Sequence, residues 1–181
     1  MLRLLFVFAV TALLSMNVMA QKKAQKRVLV AYFSATGTTA AAARQLADVA
    51  GATLYAVTPA KHYTAADLDW NDKSSRSSVE MANAKSRPAL GGRKSDVSAY
   101  DVVFIGYPLW WNLAPRVINT VSESHNLAGK TVVPFATSGG SSIDNSAKEL
   151  KKTYGKLVWK EGRLMNGMSR TDIKKWVEAL K

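Results

Sequence analysis

Three short stretches carry the polar and aromatic residues whose types and spacing could do chemistry. In the first, Ser34, Ala35, Thr36, Gly37, Thr38 and Thr39 separate an apolar run from an alanine-rich one, so that small, mostly hydroxylated residues sit at an abrupt junction. If that junction joins a strand to a helix, backbone amides converge on one point and the helix N-terminus adds partial positive charge. Such a cradle holds a phosphate without Lys or Arg. Simple N-capping is the other reading, but it needs one hydroxyl rather than four. Neither GxxxxGK(S/T) nor GxGxxG occurs, which argues against a nucleotide triphosphatase and a dinucleotide fold.

The second stretch is Tyr107, Pro108, Leu109, Trp110, Trp111 and Asn112. Adjacent tryptophans are costly to expose, and a planar aromatic ligand would give them a stacking partner; core or interface packing is the alternative use. The third runs Thr137, Ser138, Gly139, Gly140, Ser141, Ser142. Paired glycines allow close backbone approach, and hydroxyl and amide donors could read the polar edge of a flat ring. A flexible loop that caps the next helix would look the same. His62 and His125 add little, and no spacing suggests a metal site. No GxSxG elbow supports a serine hydrolase.

The elements around these stretches alternate in type. Residues 27–33 form a continuous β-branched and aromatic run, as expected of a strand buried on both faces. Further strands are predicted at 53–57, 101–106, 130–136 and, shorter, at 157–159. Helices fit between them at 39–50, closed by Gly51, then at 115–123, 144–154 and 170–180. In the last, Ile173, Trp176, Val177 and Leu180 share one face, and Ser169 and Asp172 have the spacing of a capping box. The alternation predicts an α/β domain with a mostly parallel sheet and helices on both faces. Ligands in such a sheet sit at the carboxyl ends of the strands, where all three stretches fall. Residues 59–98 carry only a weak helix signal at 78–85, and a segment that long with His62, Tyr63 and Trp70 reads as a covering loop.

Length and composition set the frame. The chain has 181 residues, 48% hydrophobic and 21% charged, enough for one domain with its own core. Residues 1–20 read as a secretory signal peptide: Arg3, an apolar run from Leu4 to Leu14, and Val18-Met19-Ala20 before a cleavage point at Gln21. Residues 21–26 form a polar leader, and the domain spans 27–181. The expected location is periplasmic or secreted, with no integral membrane segment after cleavage. No cysteine is present, so stability must come from packing. The net charge of +12 is scattered as basic pairs rather than as one stripe, which with export argues against nucleic acid and leaves a solvated basic surface or an acidic partner.

With SATGTT after the first strand, YDVVFIGYPLWWNLAP around the third and GKTVVPFATSGGS around the fourth, in that order, the chain from Arg27 onward closely resembles the flavodoxin-like family. The resemblance implies a three-layer sandwich, a five-stranded parallel sheet in order 2-1-3-4-5, and FMN as cofactor. It implies that Ser34 to Thr39 hold the phosphate, that Pro108 to Asn112 lie against the isoalloxazine near N5, and that Thr137 to Gly140 contact its pyrimidine side. Electron-carrier members of the family usually place an aromatic in the third loop and a glycine beside N5, and tend to be acidic. This chain has neither feature and is basic. The departures shift the expectation from a one-electron carrier towards an oxidoreductase of the quinone or nitro-compound reductase type acting on a small molecule, its redox donor and acceptor unspecified. A non-catalytic flavin-binding or phosphorylated-ligand-binding module is the alternative.

Overall fold

In the apolar run after Arg27 only Tyr32, at its half-buried end, has a polar group to offer water, and the middle of the run becomes the interior of the fold. A computed structural model describes residues 26–92 and 95–180. The signal peptide read at 1–20 and the leader up to residue 25 lie outside the described residues. β1 (Val28–Tyr32) pairs in parallel with β2 (Thr53–Ala56) on one side and β3 (Val102–Pro108) on the other; β3 in turn pairs with β4 (Thr131–Thr137). The sheet order is 2-1-3-4-5, as the resemblance implies.

The fifth position is divided. β5 (Val158–Trp159) pairs with the start of β4, and β6 (Arg163–Leu164), for which periodicity gives no signal, pairs with its end. The Lys160 N–H donates to the Val132 carbonyl and the Met165 N–H to that of Ala136, so alternate residues of β4 turn their polar groups to this edge. Pro134 stands between them and has no N–H to give. The edge strand breaks opposite it. Gly162 fills the gap so closely that a Cβ there would lie 2.5 Å from the Pro134 carbonyl oxygen.

The helices are α1 (Thr38–Ala50), α2 (Arg76–Ala82), α3 (Arg116–Ser124), α4 (Asp144–Thr153) and α5 (Arg170–Ala179), with a 3-10 turn at Ala66–Leu68. Gly51 ends α1 at φ 61, and its N–H reaches back to the carbonyls of Ala47 and Asp48. Ser169 caps α5 by accepting from the Asp172 N–H, as its spacing predicts. The weak helix expected at 78–85 starts earlier because Ser75 caps it, accepting from the Ser78 N–H.

Strand alternation sends Leu29, Ala31, Val103, Ile105 and Val132 to one face, against Val117, Ile118 and Val121 of α3 and Leu150 of α4. Val30, Phe104, Val133 and Phe135 go to the other, against Leu46 of α1 and Ile173, Trp176 and Val177 of α5. Each such side chain fully buried contributes about 1.5–3 kcal/mol. Those two layers of packing hold the loops after β1, β3 and β4 at one end of the sheet.

Candidate functional site

α1 starts without a side-chain cap. Gly37, its N-cap, takes φ 95, and a Cβ there would meet nothing within 4 Å. The first-turn amides have no partner within the helix by construction, so the turn presents donors and partial positive charge to an open space. Ser34 shapes the approach by accepting from the Gly37 N–H at 3.1 Å. Thr36, Gly37 and Thr38 are exposed. Thr39 points the other way: it is buried, and its hydroxyl meets that of Thr137 at 2.7 Å. The stripe Thr39, Ala43, Leu46, Ala47 on the sheet-facing side of α1 signals this inward turn.

The second loop is a tight hairpin. Trp110 and Leu113 exchange backbone bonds of 3.0 and 2.9 Å, while Trp111 and Asn112 between them take φ 47 and 61. Positive φ at both central residues is the signature of a type I′ turn, a place usually given to Asn-Gly. Asn tolerates it; a bulky tryptophan there is strained. The Asn112 carbonyl accepts from Asn145 Nδ2 at 3.1 Å, which ties the turn to α4.

The turn gives the two tryptophans opposite roles. Trp110 packs edge-on to Phe33 and Tyr63, with ring centroids at 5.6 and 5.2 Å. Trp111 is 46% exposed. Tyr63 is locked in turn: its hydroxyl donates to Glu80, Glu80 pairs with Arg76 at 2.7 Å, and the Arg76 guanidinium lies 4.0 Å from the Tyr63 ring centre. Burial, reinforced by the bond to Glu80, pushes the Tyr63 phenol well above its ordinary pKa. Tyr107 is fully buried beneath, its hydroxyl 3.1 Å from Ser146 Oγ and pushed by burial up to about 12.

A cavity of about 410 Å³ opens between these loops, within the range of small-molecule sites. Ala35 and Thr36 line it from the first loop, and Pro108, Leu109, Trp110 and Trp111 from the second. Leu68, Trp70 and Ser77 complete the wall from the long segment, with Trp70 72% exposed. That segment therefore covers one side of the cavity, as expected of it. Leu68 and Ser77 carry no sequence signal of this role, because the polar run around them has no periodicity.

The third loop stands beside the cavity rather than in its wall. Thr137 joins the other two loops from beneath, its hydroxyl on Thr39 and its carbonyl accepting from the Leu109 N–H at 2.8 Å. Ser138 folds the loop on itself, since its hydroxyl accepts from the amides of Gly140 and Ser141. The Asn166 side chain brackets Ser138, accepting from its N–H and donating to its carbonyl, each at 2.8 Å. Gly139 and Gly140 are exposed at the tip. Among the described residues no cluster of acidic or histidine side chains could hold a metal ion, and no helix is long and apolar enough to cross a membrane.

Comparison with known proteins agrees with this geometry. Residues 27–180 match the family model described as Flavodoxin. The crystal structure of a candidate flavoprotein from Bacteroides eggerthii is 62% identical, covers 85% of this chain and 97% of that one, and superposes with a TM-score of 0.83. One from Bacteroides uniformis is 58% identical over 84% and 98% of the two chains, with a TM-score of 0.82. A flavoprotein from Lactobacillus acidophilus solved in complex with FMN shares the fold at 20% identity and a TM-score of 0.65, over 83% and 98% of the chains. No curated protein matches. The chain belongs to the flavodoxin family.

Proposed function

We propose that this chain is an FMN-dependent oxidoreductase that works outside the cytoplasm. One observation carries the reading: a single cavity runs from the loop of an uncapped helix N-terminus to an exposed tryptophan held in a strained turn. The first suits a phosphate, the second a flat ring, and FMN has both. The open space at the Gly37 Cα leaves the backbone free to approach an anion. Ser34, Ala35, Thr36 and Thr38 take the phosphate with amides and hydroxyls, and Gly37, whose N–H is held by Ser34, gives the anion room. Thr39 serves through its N–H alone, because its hydroxyl is engaged with Thr137. Pro108, Leu109, Trp111 and Asn112 take the ring, Trp110 backs them, and Thr137, Ser138, Gly139 and Gly140 offer backbone groups to its polar edge.

Bound there, FMN supplies electron transfer, and the protein's part is orientation and the exclusion of water. Leu68 and Trp70 narrow the cavity from the side of the long segment. With no glycine between Leu109 and Asn112 and a basic surface, the site favours two-electron reduction of a small acceptor of the quinone or nitro-compound class. Export rests on residues 1–20, and N-terminal sequencing of the exported protein should begin at Gln21.

Titrating apo protein with FMN and with riboflavin tests the cradle. FMN should bind at least about tenfold tighter, since a single charge-assisted hydrogen bond contributes about 1.5–3 kcal/mol. Equal affinities would remove the phosphate site. Bound FMN that is neither reduced nor reoxidised by any small donor or acceptor would leave a binding module instead.

A further inference from the structure

Arg116 opens α3, yet among the described residues it has no carboxylate partner. The residue is only 9% exposed. Its Nη2 donates to the Met81 carbonyl at 2.9 Å, and its Nε is buried with no partner at all. Arg87, bound to Glu123, adds like charge nearby, while Glu149 attracts without forming an ion pair. Burial first, and then Arg87, hold the guanidinium below its ordinary pKa. A buried cation so poorly matched destabilises the fold unless something compensates it.

Beside Arg116 lies a second cavity of about 240 Å³. Arg87, Asn119, Ser146, Glu149 and Thr153 join Arg116 on its polar side, and Leu113 and Leu150 line its apolar side. The Asn119 amide gives one N–H to the Tyr154 hydroxyl and the Ser146 hydroxyl donates to the Ile143 carbonyl, while Arg87 is held by Glu123; Arg116, with a single bond to the Met81 carbonyl, keeps most of its N–H groups unused. Ser77 early in α2 and Trp110 in the hairpin border the first cavity; Ala84 beyond α2 and Leu113 in the hairpin border the second.

We propose that this second cavity binds a small organic monocarboxylate, its carboxylate on Arg116 and its short apolar body against Leu113 and Leu150. A planar guanidinium matches a carboxylate. The volume corresponds to about eight waters, room for a few carbons. Glu149 at the wall penalises a phosphate dianion more than a single negative charge. The site is independent of what occupies the first cavity.

The test is a titration of ¹⁵N-labelled protein with propionate, with sodium chloride and with inorganic phosphate at matched ionic strength, following the arginine Nε–Hε resonances. Propionate should move the Arg116 resonance saturably in the millimolar range, with a smaller shift at Arg87, which lines the same cavity but is held by Glu123, and chloride should not. Arg116→Lys should weaken propionate about tenfold by losing the planar fork. If that variant does not fold, the wild-type titration still decides. No saturable shift at Arg116, an equal shift with chloride, or tighter binding of phosphate than of propionate would overturn the proposal.

Discussion

Replacing Trp111 by Ala and by Gly separates what the indole does from what the backbone endures. Both variants lose the ring, and they differ only by a Cβ at φ 47. A left-handed conformation costs an L-residue about 1–2 kcal/mol, whereas glycine's freedom in the unfolded chain costs about 0.4–1 kcal/mol. Glycine should therefore be the more stable of the two by about 0.5–1 kcal/mol, the reverse of the order at an ordinary position. In a domain of this size that is a difference of about 2–3 °C in Tm, resolved by thermal unfolding. The exposed 46% of the tryptophan is the part free to meet a ring, roughly 100 Å² if the whole residue offers about 150–250 Å². At about 25 cal/mol per Å², less the ordering cost of binding, both variants should lose about tenfold to a hundredfold in FMN affinity by fluorescence titration. Trp110→Ala should do the opposite, lowering stability by about 2–4 kcal/mol because its ring is packed against Phe33 and Tyr63. Alanine at 111 more stable than glycine would refute the strained turn. Unchanged FMN affinity in both folded variants would refute the ring site.

Thr39→Val or Thr137→Val alone strands a buried hydroxyl and should cost about 1–3 kcal/mol in urea unfolding; the double variant should recover part of that, and strict additivity would show the pair is not coupled. Gly162→Ala drives a Cβ into the Pro134 backbone and should destabilise by about 1–3 kcal/mol, whereas an unchanged urea midpoint would mean that the edge can shift aside. The Arg87 guanidinium, with help from the Tyr154 hydroxyl, holds Glu123 below the usual carboxylate range. Its contribution is present above the unfolded-state pKa of about 4.3 and is lost as pH falls through the depressed folded value. Glu123→Gln should accordingly be less stable than wild type at pH 7 and converge with it in strong acid; a gap independent of pH would rule out the charge as its source.

Most of the sheet was legible because its central strands are buried on both faces and leave long apolar runs, so 27–33, 101–106 and 130–136 fall within two residues of β1, β3 and β4. Their order came from the resemblance rather than from periodicity. The two-residue β6 was not legible, since Arg163-Leu164 is shorter than any period and is placed by Pro134 on a neighbouring strand. At the site, the first two loops could be read because their chemistry is local. The bracing of Ser138 by Asn166 could not, as it joins residues 28 apart in the chain. Nor could the division of labour between Trp110 and Trp111, which are the same residue type and are distinguished only by a turn that twists one in and one out.

The broken fifth strand also bears on association. A sheet margin with a full row of free amides and carbonyls invites a second chain to add a strand. Here the margin consists of two pieces of two residues each, out of register by one residue, because 132 pairs with 159 but 135 with 163. An incoming strand in regular register can follow one piece or the other, and neither is long enough to hold it. Pro134 thus does for this side of the sheet what a charged or covered edge does elsewhere: it leaves no continuous template on which copies of the chain could stack.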